Sequence, residues 1–280
     1  MTDRGVSDVV GFTLIFSVVL LSVGAVTAGG FSVLTEINDR QQVENSERGL
    51  SAFGATLDSL HRSGDTTRNP SLTIGDGELI YNTSQINVTS DDDDFDDRLD
   101  SGLPNGGNLS ADSLEHRFDR SGEDVIVQYE AGAVFRSQSA SPRYGPSIDI
   151  EELPNGETQA IVSLVNLSAG QQISRNAPGV DNVAIRPTSL PDDSLTNSDN
   201  FQVDFRAELT DQSRVIEHDF DNELRVDVSG ASEPAQWDQY FNGTDTAWES
   251  TGSGVYSVEP DTVLVRVTTV RLTLPERLPE

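Results

Sequence analysis

From Val9 to Thr35 the chain carries no charged side chain. As a helix these 27 residues would extend about 40 Å, more than the ~30 Å hydrocarbon core of a bilayer. The centre, Val9–Val26, reads VVGFTLIFSVVLLSVGAV, with no polar face of the kind a soluble helix presents. The stretch fits three plans: a secretory signal peptide, a plain membrane anchor, or a helix retained after a short leader is removed. An ordinary signal peptide begins with a basic region and ends at small residues. Here Asp3, Arg4 and Asp8 leave the start without a basic excess. A cut after Ala28 is conceivable, but the apolar pattern runs past it into Phe31, Val33, Leu34 and Ile37.

The residues before this stretch are Asp3-Arg4-Gly5-Val6-Ser7-Asp8-Val9-Val10-Gly11. A basic residue, then Gly, then a short polar step into a long apolar helix resembles the class III signal peptide of archaeal type IV pilins, especially the haloarchaeal group. Asp8 stands where these pilins commonly have Pro. The resemblance implies that a prepilin peptidase recognises Arg4 and Gly5 and cuts before Val6 on the cytoplasmic side of the membrane. It also implies that the helix stays on the mature protein and binds other pilin-like subunits, with the C-terminal part outside the cell. At 280 residues the chain is long for a major pilin, which suggests a minor or accessory subunit of a pilus-type surface filament. Gly24/Ala28 and Ala25/Gly29 are small-xxx-small pairs that let helices approach closely. Ser17, Ser22 and Thr27 can bond back into their own helix. The alternative is a single-pass anchored, or secreted, β domain that binds a surface without polymerising.

Composition narrows the chemistry. There are 47 acidic residues against 18 basic ones, a net charge of −29; every cation is Arg, and Cys is absent. That excludes a disulfide framework, thiolate metal ligands, a Cys nucleophile and a Schiff-base or P-loop lysine. Nucleic acid is an unfavoured partner, because the field repels phosphate. A pI near 4.1 suits concentrated salt, where a Debye length of ~3 Å at ~1 M weakens repulsion between carboxylates. Acidity alone would also suit a disordered chain, but the alternating apolar runs below favour a folded one.

After Thr35 the helix is expected to turn amphipathic, with Val43, Leu50, Phe53, Leu57 and Leu60 at helical spacing. It should stop near Arg62-Ser63-Gly64. If unbroken from Val6 to His61 it would be about 80 Å long. Beyond it the period becomes two. Phe201–Leu209 alternates apolar with polar, as do Leu224–Val228 and Val125–Tyr129, the latter after a turn at Arg120–Asp124. Ala131–Phe135 could extend that strand through a bulge at Gly132. Val263, Val265 and Val267 share one face, whereas Val270, Leu272 and Leu274 share the other, so a bulge or bend is expected at Thr268-Thr269. Further strands fit Leu72–Ile74, Glu78–Tyr81, Leu114–Phe118 and Ala160–Leu167. Pro142–Pro146 and Pro178–Asp193 read as loops. Ser232-Glu233-Pro234 should open a short helix whose Trp237, Tyr240 and Phe241 plug a sheet end.

The expected fold is α+β: a long N-terminal helix packed on an antiparallel, sandwich-like β domain. The divisions are a leader (1–5), a transmembrane or filament-core helix (6–35), its amphipathic continuation (36–64) and an exported β-rich domain (65–280). Asp91–Asp97 lacks the Gly turn and spacing of a Ca²⁺ loop and reads as a solvated loop. His61, His116 and His218 are too scattered for a metal set, and each reads as a capping or surface residue. No metal or cofactor is expected. Neither a nucleophile elbow nor a phosphate loop nor a zinc helix occurs, so the chain reads as a non-enzyme. Five Asn-x-Ser/Thr sequons, at Asn82, Asn87, Asn108, Asn166 and Asn242, are candidate N-glycosylation sites in an exported domain.

Overall fold

The computed structural model describes residues 3–63, 65–75, 77–118, 124–137, 139, 142–170, 173, 182–185, 201–243 and 247–274. The chain divides into two compact units, Met1–Glu44 and Asn45–Glu280. The boundary falls within helix α1, Asp3–Ser63. In the first unit Val10–Thr27 is long and apolar enough to cross a membrane, and no residue of it is buried. Polar groups in it are satisfied locally. Ser17 donates to the Thr13 carbonyl at 2.7 Å, Ser22 to Val18 at 2.8 Å, and Thr27 to Val23 at 2.8 Å.

The second unit begins with the rest of α1. Here the helical spacing of Leu50, Phe53, Leu57 and Leu60 forms one stripe, and all four are at most 1% exposed. Burying each such side chain is worth about 1.5–3 kcal/mol. Phe53 meets Tyr129 and Phe205 edge-on, with ring centroids 5.4 and 5.8 Å away. The Gly64 stop lies outside the described residues.

Among the described residues, four sheets complete this unit. One has the order β1 (Thr67–Arg68), β13 (Arg206–His218), β17 (Thr262–Thr273), β10 (Thr158–Ala169), β9 (Ser147–Glu152). A second runs β11 (Asn182–Ile185), β3 (Glu78–Asn82), β6 (Ser113–Phe118), β7 (Val125–Glu130), β8 (Ala133–Arg136). A third runs β15 (Glu249–Gly252), β16 (Val255–Val258), β14 (Leu224–Asp227), β4 (Gln85–Ser90), β5 (Asn108–Ser110). Strands β12 (Phe201–Asp204) and β2 (Ser71–Ile74) form a pair. Pairing is antiparallel except between β10 and β17, which run parallel in unbroken register from Gln159↔Thr262 to Ala169↔Leu272. The long chain between them permits that crossover. Helices α2 (Asp93–Gly102) and α3 (Pro234–Gly243) complete the described elements.

The phase slip in β17 has a packing cause. Val263, Val265 and Val267, with Ala160, Val162 and Leu164 of β10, share one apolar cluster with Ile86, Val88, Leu224, Val226 and Trp237. Val270, Leu272 and Leu167 are equally buried but lie outside that cluster. Alternation along an unbroken strand puts Val270 and Leu272 on the opposite face. Ala207, opposite Leu272, shares that face two residues from Phe205, which packs on Phe53. The covered face therefore changes along one continuous strand. The expected irregularity lies in the partner: β13 shifts register between Leu209 and Asp211, beside Thr269 and Val270.

Four further expectations need correction. Phe201–Leu209 is not one strand: it divides at Phe205 into β12 and β13, which join different sheets, and β13 continues through a polar stretch to His218. Ala131-Gly132 is a two-residue hairpin turn rather than a bulge. Both residues have positive φ, 52° and 99°, the conformation of a type I′ turn, and β8 folds back on β7. Asp91–Asp97 is only partly a loop: Asp93–Asp97 form the start of α2. Asp92 accepts from the Asp94 and Phe95 amides as N-cap, and Asp93, Asp94 and Asp96 sit at the positive helix end. Phe95 and Leu99 hold α2 to the core. Within Pro178–Asp193, residues 182–185 form β11 on β3; the others lie outside the described residues, as does most of the Arg120–Asp124 turn.

Candidate functional site

Two features are candidates for function: the apolar part of α1 and, in the second unit, a set of buried polar groups on the sheet that contains β6 and β7. In the first, Phe12, Leu14, Ile15, Val18, Leu21 and Val26 are all more than half exposed. Such a continuous apolar surface marks a membrane or protein contact. Ala25 is exposed, and a Cβ built on Gly24 would meet no atom within 4 Å. Arg4, Gly5 and Val6 fall in the first turns of α1. Their side-chain surroundings, like those of Ala28 and Gly29, lie outside the described residues.

The polar groups lie on both faces of β6 and β7: Ser113, Glu115, Gln128 and Glu130 share the face toward Ser232 and toward Trp237 of α3, whereas His116 is on the face toward α1. Glu130 is fully buried. Its carboxylate accepts from the Ser232 amide at 2.7 Å, the Trp237 indole at 2.7 Å and Gln128 at 3.3 Å. Burial raises its pKa, and those donors only partly offset the effect. Asp112 is also raised by burial while accepting from Tyr81 and Ser110. Burial, with the Asp112 charge, pushes the Tyr81 phenol up in turn. Glu115 is 2% exposed and accepts from Asn82 and Arg117. Along α1, Glu47 binds Arg136 at 3.1 Å and Arg143 at 3.2 Å, and Asp58 accepts from Tyr144.

His116 corrects its expected surface position. It is 2% exposed, stacks near Phe118 with centroids 4.0 Å apart, and its Nδ1 lies 2.8 Å from Ser46 Oγ. Ser46 is itself 5% exposed. A serine–histidine pair closed on both sides offers a substrate no approach, so this bond positions α1 on β6. His218 is exposed at the end of β13. No group of three or more metal-ligating side chains occurs among the described residues. These carboxylates escaped sequence reading because their donors come from residues up to 107 positions away. Polar residues within the β6 and β7 patterns were the only signal.

The five sequons differ. Asn166 is buried in β10, and Asn82 donates to Glu115. Asn87 is half-buried in β4. Asn242 is exposed but donates to the Asp238 carbonyl and the Tyr256 hydroxyl. Asn108 is exposed at the start of edge strand β5.

A family profile described as a family of unknown function (DUF7289) matches residues 4–220. No curated protein and no solved structure matches the chain.

Proposed function

The chain belongs to the DUF7289 family, and from that premise we propose that it is a pilin-like structural subunit of an archaeal type IV pilus-type surface filament. In this reading it is a minor or accessory subunit and not an enzyme. The observation carrying the proposal is the exposed apolar window Val10–Thr27 directly behind Arg4-Gly5-Val6. The family match begins at Arg4 and extends through β13, so it takes in the apolar helix and the β-rich region together. This favours a helix that remains with the domain. Before processing, Met1–Gly5 is a cytoplasmic stub, Val10–Thr27 lies in the bilayer, and the second unit is extracellular and salt-adapted. The sheet containing β10 and β17 and the sheet containing β4 and β14 then form the layers of a sandwich-like domain, consistent with their shared apolar cluster.

Each charge drawn into hydrocarbon costs about 2.5–3.5 kcal/mol. Removing Asp3 and Arg4 lowers the barrier to withdrawing the helix from the membrane. The helix then exchanges lipid for neighbouring helices through Gly24, Ala25, Ala28 and Gly29. Sequencing the mature N-terminus tests this: Val6 is expected. Arg4→Glu with Gly5→Trp should leave a full-length membrane-bound precursor absent from filaments. A mature start at Gly29, an intact Met1 or Thr2, or normal assembly of the double variant would overturn the reading.

A further inference from the structure

We propose that Asn108 carries an N-linked glycan whose first sugars lie in the polar cleft between β4, β14 and α2. The inference rests on the extracellular placement proposed above and chooses among sequons that are equivalent in sequence. A glycan is compatible with the folded domain only where the Asn amide is open to solvent, whichever of transfer and folding comes first. Asn166 fails, because a sugar there would open β10, the strand joining β9 to β17. Asn82 is half-buried and its amide nitrogen is engaged with buried Glu115, so a sugar there would crowd that bond. Asn242 would surrender its bond to the Asp238 carbonyl within α3 or its bond to the Tyr256 hydroxyl.

Asn108 meets none of these obstacles. Its side-chain amide makes no hydrogen bond among the described residues, and it follows the turn Asn105-Gly106-Gly107, where Asn105 and Gly106 have φ of 58° and 68°. Strand β5 is three residues long and lies at a sheet edge, so little must move to admit a transferase. Asn108 also lines a cleft of about 330 Å³, with Asn87, Thr89, Asp100, Arg225 and Asp227 among its walls. That volume is at the small end of ligand sites, about 300–1,000 Å³. Its amides, carboxylates and guanidinium offer donors and acceptors to sugar hydroxyls. Asn87, the sequon that pairs with Asn108 across β4 and β5, is half-buried with its side-chain oxygen shut from water, so its amide is the less open of the two.

The donor would be a lipid-linked oligosaccharide phosphate. The Asn108 nitrogen forms a bond to the anomeric carbon, the bond from that carbon to the phosphate oxygen breaks, and the amide proton passes to a transferase base. Peptide mass spectrometry of the full chain, purified from its native membranes, should find sugar increments on the Asn108 peptide and none on the Asn166 peptide. Asn108→Gln should lose that increment from the intact mass. Hydrogen exchange at residues 87–89 and 96–100 should be faster in Asn108→Gln than in the glycosylated chain. An unmodified Asn108 peptide, or modified Asn166, overturns the proposal; equal exchange overturns the seating in the cleft. Protease treatment of intact cells separates the two levels. Cleavage of the second unit with Asn108 unmodified refutes only the glycan, whereas full protection refutes the extracellular placement as well.

Discussion

Glu130 is a carboxylate enclosed in the core. Burial holds its pKa above the ordinary range, so the folded state favours its protonated form. The stability linked to this group is present below the unfolded value and is lost as pH rises through the folded one. Asp112 acts in the same direction. Glu130→Gln removes the titration but turns an amide N–H₂ toward the Ser232 or Trp237 donor, costing about 1–3 kcal/mol. In denaturant titrations at fixed molar salt, the variant should be less stable at pH near 4, and its deficit should shrink as pH rises. Parallel stability profiles for the two proteins would show that Glu130 does not titrate in the fold.

At the scale of elements, α1 has two halves made for different surroundings. Phe53→Ala leaves a hole against Tyr129 and Phe205 and should destabilise the second unit by about 3–5 kcal/mol. Val23→Ala, on an exposed apolar surface, should change that unit's unfolding free energy by less than about 0.5 kcal/mol. Comparable losses from both would contradict the separation into two units. Much of this was legible beforehand. The spacing of Leu50, Phe53, Leu57 and Leu60 identified the buried stripe, and alternation located β2, β3, β6, β7, β10, β14 and β17. What escaped notice depended on partners. The acidic run hid a helix because its N-cap role, with Phe95 and Leu99 behind it, was outweighed by its charge. Ala131 hid a hairpin because alanine rarely adopts positive φ. The polar half of β13, Asp211–Arg214, lacks an apolar rhythm; its pairing with β17 makes it a strand. Of the candidate site, the apolar helix was evident from one uncharged run. The Glu130 and His116 environments were not, since they exist only once distant strands and helices meet.

For the whole molecule, the dominant quantity is a net charge of −29 with no lysine. Among the described residues most ion pairs involve Arg side chains at least partly open to solvent, such as Arg225 with Glu223 and Asp91, and such pairs contribute only about 0–1 kcal/mol each. Eighteen arginines cannot neutralise 47 carboxylates, so the excess must be screened by the solvent. At ~1 M salt the Debye length of ~3 Å confines repulsion to near neighbours, whereas below 0.1 M it exceeds ~10 Å and carboxylates on different elements repel one another. The α2 start, with Asp91 to Asp97 in one run, should be among the first regions to feel it. The apolar cores are unchanged by dilution, so the loss should be graded and reversible on restoring salt. Lowering salt from molar to ~0.05 M should therefore depress the melting temperature and weaken the β-sheet circular dichroism of the full chain in neutral detergent. Lowering pH toward 4 at low salt should recover part of the loss by protonating surface carboxylates. A melting temperature unchanged across that range would mean that packing, not screening, sets the stability, and the proposed salt adaptation would fail.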